Sequence, residues 1–229
     1  MRRSLDTLSA ALVVGCLIGA GCGVAPAPMV PVENGKGDST NQASTKYPAG
    51  PYGAQVNDVI ANLSFVGKAD DNGDGDITND PIRKVQLSDY YNDKSIKVLA
   101  ILVAAEWCGP CQQEQFELVT SFKKYQAGKS GVAYLEAMIE STNHSPADVG
   151  TVDRWAGHAW PNYKDKTMTA KIPFPVVADP TVVLAPYYEY PAFPMQVVIR
   201  ASDMTIQWQG IGYGPGALEG AIDPLLSGQ

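Results

Sequence analysis

Downstream of residue 22 this chain has only two cysteines, and they stand two residues apart in EWCGPCQQE, Glu106 to Glu114. Thiols at that spacing can form a redox-active disulfide, half of a metal site or a fixed crosslink. Pro110 suits the first turn of a helix, where its missing N–H costs nothing. A helix opening there puts Cys108 against unpaired N–H groups and the positive end of the helix dipole, with Cys111 one turn on and on the same side. Such settings lower a thiol pKa from about 8.5 to between about 3.5 and 7, and the thiolate is the species that attacks. Cys108 is then the nucleophile and Cys111 the thiol that resolves the mixed disulfide.

The other two readings are weaker on ligand count and on loop length. Zinc sites usually take four Cys or His ligands, and besides the two cysteines only His144 and His158 are available, both well downstream. A permanent disulfide closing so short a loop constrains little chain entropy.

The flanking residues supply the elements that would hold the pair. KVLAILVAA, Lys97 to Ala105, is a continuous apolar run that ends just before the motif, as expected of a strand buried on both faces. After the motif, Phe116, Val119, Phe122 and Tyr125 recur every three residues, giving a helix its apolar side. GVAYLEAMIE, Gly131 to Glu140, reads as a second buried strand, and a helix is expected from Ser145, with Pro146 at its first position. This β-α-β-α order predicts a parallel core. FPVVADP around Val176 predicts a short strand, MQVVIRASDMTIQWQGIG a hairpin turning at Ala201 to Asp203, and Pro215 to Leu226 a closing helix.

WCGPC at Trp107 to Cys111, between an apolar strand and a helix, resembles the thioredoxin active site. The continuation CQQE with Glu114 and the later YPAFPMQVVI make the sequence most similar to the TlpA/ResA-like membrane-anchored thiol-disulfide oxidoreductases, over about Tyr52 to Leu226. The resemblance implies an α/β thioredoxin fold: a central mixed sheet flanked by helices, here with an N-terminal strand or hairpin extension. It implies catalysis by Cys108 and Cys111, supported by Trp107, Gly109, Pro110, Glu106 and Glu114. It also implies a cis-proline at Pro194 which, with Phe193, binds the substrate chain. No cofactor beyond the Cys108–Cys111 disulfide is implied; the partners are protein thiols or disulfides and an electron donor or acceptor. Thioredoxin has a buried aspartate where this sequence has Leu102. Help in deprotonating Cys111 therefore falls to Glu106, Glu114 or water, with Glu114 the candidate and a solvated helix-surface glutamate the alternative. Asn143 to Lys171, with Trp155, Trp160 and Tyr163, is longer than a minimal thioredoxin needs; it shapes a partner surface or packs the core.

The first residues, with Arg2 and Arg3, an apolar run from Leu8 to Ile18 and then Gly19 to Gly21, have the layout of a secretory signal peptide. The cysteine after GAG resembles a lipoprotein lipobox, which makes Cys22 the lipid attachment site; Cys16 and an unlipidated leader are the alternatives. The expected organisation is a lipoprotein signal at 1–22, a flexible Pro/Gly/Ser-rich tether at 23–50 and a thioredoxin-like domain at 51–229. The protein is accordingly expected outside the cytoplasm, in the periplasm or at the cell surface, held to a membrane by its lipid. A formal charge of -7 argues against a nucleic-acid surface.

DDNGDGDITND, Asp70 to Asp80, sets Asp70, Asn72, Asp74 and Asp76 in the pattern of the first half of an EF-hand calcium loop, with Gly75 at the turn but Pro81 at the twelfth position. A solvated hairpin loop accounts for the same residues. The rival function from another class is therefore a binding lipoprotein on the same fold, stabilised by calcium or carrying a metal on its two thiols.

Overall fold

The computed structural model describes residues 46–158, 171–188 and 192–228. Its strands are β1 Ser64–Lys68, β2 Arg83–Gln86, β3 Val98–Ala105, β4 Val132–Glu140, β5 Val176–Ala178, β6 Met195–Arg200 and β7 Thr205–Ile211. Its α-helices are α1 Leu87–Asn92, α2 Gly109–Ala127, α3 Val149–Ala156 and α4 Ala217–Ser227. The strands form one mixed sheet in the order β2-β1-β5-β4-β3-β6-β7. β3, β4 and β5 run parallel, as the long crossovers demand, and the remaining pairings are antiparallel.

All eight residues of β3 are buried, so the strand leading to the cysteines is fixed by packing on both faces. Fully burying one such Val, Leu or Ile side chain contributes about 1.5–3 kcal/mol. On the α2 side, Phe122, Tyr134 and Phe174 meet with ring centroids 5.3–5.5 Å apart. Tyr125 of α2 donates to Asp223 of α4 at 2.7 Å, tying the two helices together. The N-terminal hairpin extension is β1 and β2, joined through the acidic loop.

Three local features differ from expectation. The third helix begins at Val149, with Asp148 as its cap, because the Asp148 carboxylate and Thr151 exchange reciprocal hydrogen bonds. Ser145 and Pro146 are instead spent on a turn, where Ser145 O accepts from Ser141 N and Pro146 bridges to Glu140. α1, a short helix whose Asp89 carboxylate accepts from the Gln86 N–H, has too few residues to show a period in the sequence. The packed region also reaches back to Tyr47, ahead of Pro51: its hydroxyl donates to Ile60 O at 3.0 Å and its ring meets Tyr91 edge-on.

Candidate active site

Cys108 is the N-cap of α2, with Gly109 and Pro110 following at its first positions. Its Sγ accepts the Cys111 N–H at 3.1 Å, and the two cysteines are joined as a disulfide. The expected thiolate position is thus the one at which a backbone N–H and the helix dipole converge. Both cysteines are nearly covered, Cys108 3% and Cys111 1% exposed. An added Cβ at Gly109 would meet no atom within 4 Å, so space does not require glycine there.

The loop between β3 and α2 is anchored from below. The Glu106 carboxylate is fully covered and takes two hydrogen bonds from Arg154 of α3, at 2.7 and 2.9 Å, and one from the Thr142 N–H at 2.9 Å. Burial alone would raise its pKa, but the hydrogen bonds from Arg154 and Thr142 outweigh that and hold it below the usual carboxylate value. Glu106 thereby anchors the loop that carries the cysteines. The Gln112 side chain bonds back to Glu106 O at 2.8 Å, closing the loop against the helix.

Above the anchor lies an aromatic rim. Trp107 is 37% exposed, donates from Nε1 to Glu140 at 2.7 Å, and has His144 against its ring with centroids 4.8 Å apart. Phe193 meets Trp107 edge-on at 6.1 Å, and Tyr188 meets Phe193 at 6.5 Å. The Phe193–Pro194 peptide is cis. Met195, the next residue, pairs with Val103 near the end of β3, so Phe193 and Pro194 lie at the end of the sheet that carries the cysteines. His144, remote in sequence, is brought to this rim by the turn after β4.

Glu114 is buried, 4% exposed, and accepts a hydrogen bond from Gln196 of β6. The solvated-surface alternative is therefore set aside. Burial pushes its pKa up to about 8; the Gln196 bond opposes the rise, and Glu136, Glu117 and Glu219 add to it. Glu136 is the residue that sequence reasoning missed. It projects from the middle of β4, 1% exposed, and burial pushes it too up to about 8 against the pull of Trp155 and Gln115. The available signal was a single acid inside the apolar run VAYLEAMIE.

The calcium candidates hydrogen-bond within their own loop. Asp70 accepts from the Asp74 and Gly75 N–H groups, Asn72 from Asp74 N–H, Asp74 from Asp76 N–H, and Asp76 from Thr78 N–H. Among the described residues no group of three or more His, Cys, Asp and Glu side chains is gathered as a metal site requires. Trp155 is fully buried and packs the core, whereas Trp160, Tyr163, the leader and Cys22 lie outside the described residues. Among the described residues no helix is long and apolar enough to cross a membrane.

No protein-family model matches this chain, and no curated protein sequence does either. Solved structures do. A protein described as the thiol:disulfide interchange protein DsbE of Chlorobium tepidum is 21% identical, covering 75% of this chain and 98% of its own, with a TM-score of 0.52. A secreted thiol-disulfide isomerase of Corynebacterium glutamicum is 14% identical over 84% of this chain and 99% of its own, at 0.50. A 2-Cys peroxiredoxin of Plasmodium vivax is 11% identical over 76% and 94%, at 0.51. At these identities the likeness establishes the thioredoxin fold.

Proposed function

We propose that this protein is an extracytoplasmic thiol-disulfide oxidoreductase that exchanges dithiol and disulfide with protein substrates through Cys108 and Cys111. The observation that carries the reading is the disulfide whose first sulfur caps α2 and accepts the Cys111 N–H, beside the rim of Trp107, Phe193 and Pro194. When reduced, Cys108 thiolate attacks a substrate disulfide and one substrate sulfur leaves as thiolate. Cys111 then attacks Cys108, the mixed disulfide breaks, and the enzyme is left oxidised and the substrate reduced by two electrons. Run in reverse, the same steps oxidise a substrate, and an external dithiol or disulfide resets the enzyme. The neighbouring interchange protein and isomerase support this chemistry by name. The basic-apolar-small leader and Cys22 support export and a lipid anchor at a membrane surface.

The test is reduction of a protein disulfide by the reduced enzyme, wild type beside Cys108→Ala and Cys111→Ser. Cys108→Ala should fall to the background rate, and Cys111→Ser should accumulate a mixed disulfide through Cys108. An unchanged rate in Cys108→Ala overturns the assignment. For the anchor, Cys22→Ala should move the protein from the membrane fraction to the soluble fraction of the host cell.

A further inference from the structure

The turn that follows β4 holds the motif loop at alternate residues. Glu140, the last residue of β4, accepts the Trp107 Nε1–H at 2.7 Å. The Thr142 N–H donates to the Glu106 carboxylate at 2.9 Å. His144 then lays its imidazole against the Trp107 indole, with centroids 4.8 Å apart and planes inclined by 35°. Its Nδ1 lies 3.2 Å from Glu140 Oε2, the same oxygen that receives the indole N–H. Either ring that swings away gives up that oxygen.

The turn is tied so as to keep His144 in this place. The His144 N–H donates to Ser141 O at 3.0 Å and the Ser141 N–H to Ser145 O at 2.8 Å. The Ser141 hydroxyl and the Ser145 N–H both donate to the Asn143 side-chain oxygen. His144 itself has a φ of 63°, in the left-handed region that residues other than glycine seldom occupy, His and Asn being among those enriched there. The imidazole is 66% exposed, so filling the core does not account for its position. An exposed indole left to itself is a side chain that a partner must immobilise on docking, which weakens binding by about two- to tenfold.

We propose that His144 is a positioning residue that selects for protein disulfides over small ones, by holding Trp107 in the orientation a substrate chain meets. This rests on the thiol-disulfide reading above. The Cys108 sulfur draws its stabilisation from the Cys111 N–H and the start of α2, a different set of contacts from those of His144. A disulfide too small to reach the rim depends on the first set alone. A polypeptide joined to Cys108 also lies against Trp107 and Phe193, whose rings meet edge-on at 6.1 Å. For that substrate a rim already fixed in place removes part of the cost of docking. The sulfur exchange is unchanged, and His144 neither gives nor takes a proton in it.

The experiment compares the full chain with its His144→Asn variant, because asparagine accepts the left-handed backbone and lacks the ring. Reduced enzyme is assayed on insulin and on hydroxyethyl disulfide. The same chains carry fluorotryptophan, with the Trp107 signal identified through Trp107→Phe. In His144→Asn the loss on insulin should exceed the loss on hydroxyethyl disulfide by about two- to tenfold and should appear in KM. The Trp107 fluorine signal should shift and sharpen as the indole is released. Equal losses on the two disulfides overturn the proposal, as does a Trp107 signal that stays at its wild-type position. If His144→Asn does not fold, magnetisation transfer from the His144 ring protons to the Trp107 indole in the wild type decides, and its absence overturns the proposal. A wild type that reduces neither disulfide removes the oxidoreductase reading, whereas a wild type active on both with an unchanged ratio in the variant removes this proposal alone.

Discussion

Arg154 is one of the residues that hold the motif loop in place. Its guanidinium holds the covered Glu106 carboxylate, and the next residue after Glu106 is Trp107. Removing one partner of a buried pair leaves an uncompensated charge, which costs about 3–5 kcal/mol when both are fully buried. Arg154 is 40% exposed, so solvent takes up part of that, and Arg154→Met should lower stability by about 2 kcal/mol in urea unfolding. The same pair responds to acid. Glu106 has a depressed pKa in the folded state, so its contribution is complete above the unfolded carboxylate value of about 4.3 and is lost as pH falls through the lower folded value. An Arg154→Met chain should therefore lose less stability than the wild type between pH 5 and about pH 3.

At the level of elements, β4 contributes more than its place beside β3. It carries Glu136 into the core and ends at Glu140, which holds the Trp107 indole. Glu136 and Glu114 have the opposite sign from Glu106: their folded values are raised to about 8, so the unfolded chain releases protons first and stability falls as pH rises from about 4.3 to about 8. Glu136→Gln removes its share, and the fall in melting temperature between pH 5 and 8 should be visibly shallower than in the wild type. The β3-α2 joint was legible because a continuous apolar run and a proline two residues into a helix are local signals. The start of α3 was misplaced because two competing caps lie within the same few residues, and the exchange between Asp148 and Thr151 prevails over the Ser145-Pro146 pattern. The acidic loop was legible as a pattern of oxygen ligands, and in the structure those oxygens accept N–H groups of their own turn. The approach of Arg154 to Glu106 and of His144 to Trp107 could not be read at all, since both depend on how separate elements pack.

For the molecule as a whole, the packed region begins near Tyr47, so the 46–229 fragment should melt close to the full chain, while removal through Tyr47 should lower the melting temperature by loosening Ile60 and Tyr91. The sheet order has a further consequence for a chain made from its N-terminus. β3 is flanked by β4 and by β6, and β6 comes from residues 195–200, roughly ninety positions after the cysteines. A nascent chain therefore displays Cys108 and Cys111 long before Gln196, Phe193 and Pro194 exist to surround them. Until then β3 lacks the strand that flanks it on that side in the folded chain. A chain stopped before Met195 should accordingly alkylate at both cysteines with the pH dependence of a free thiol.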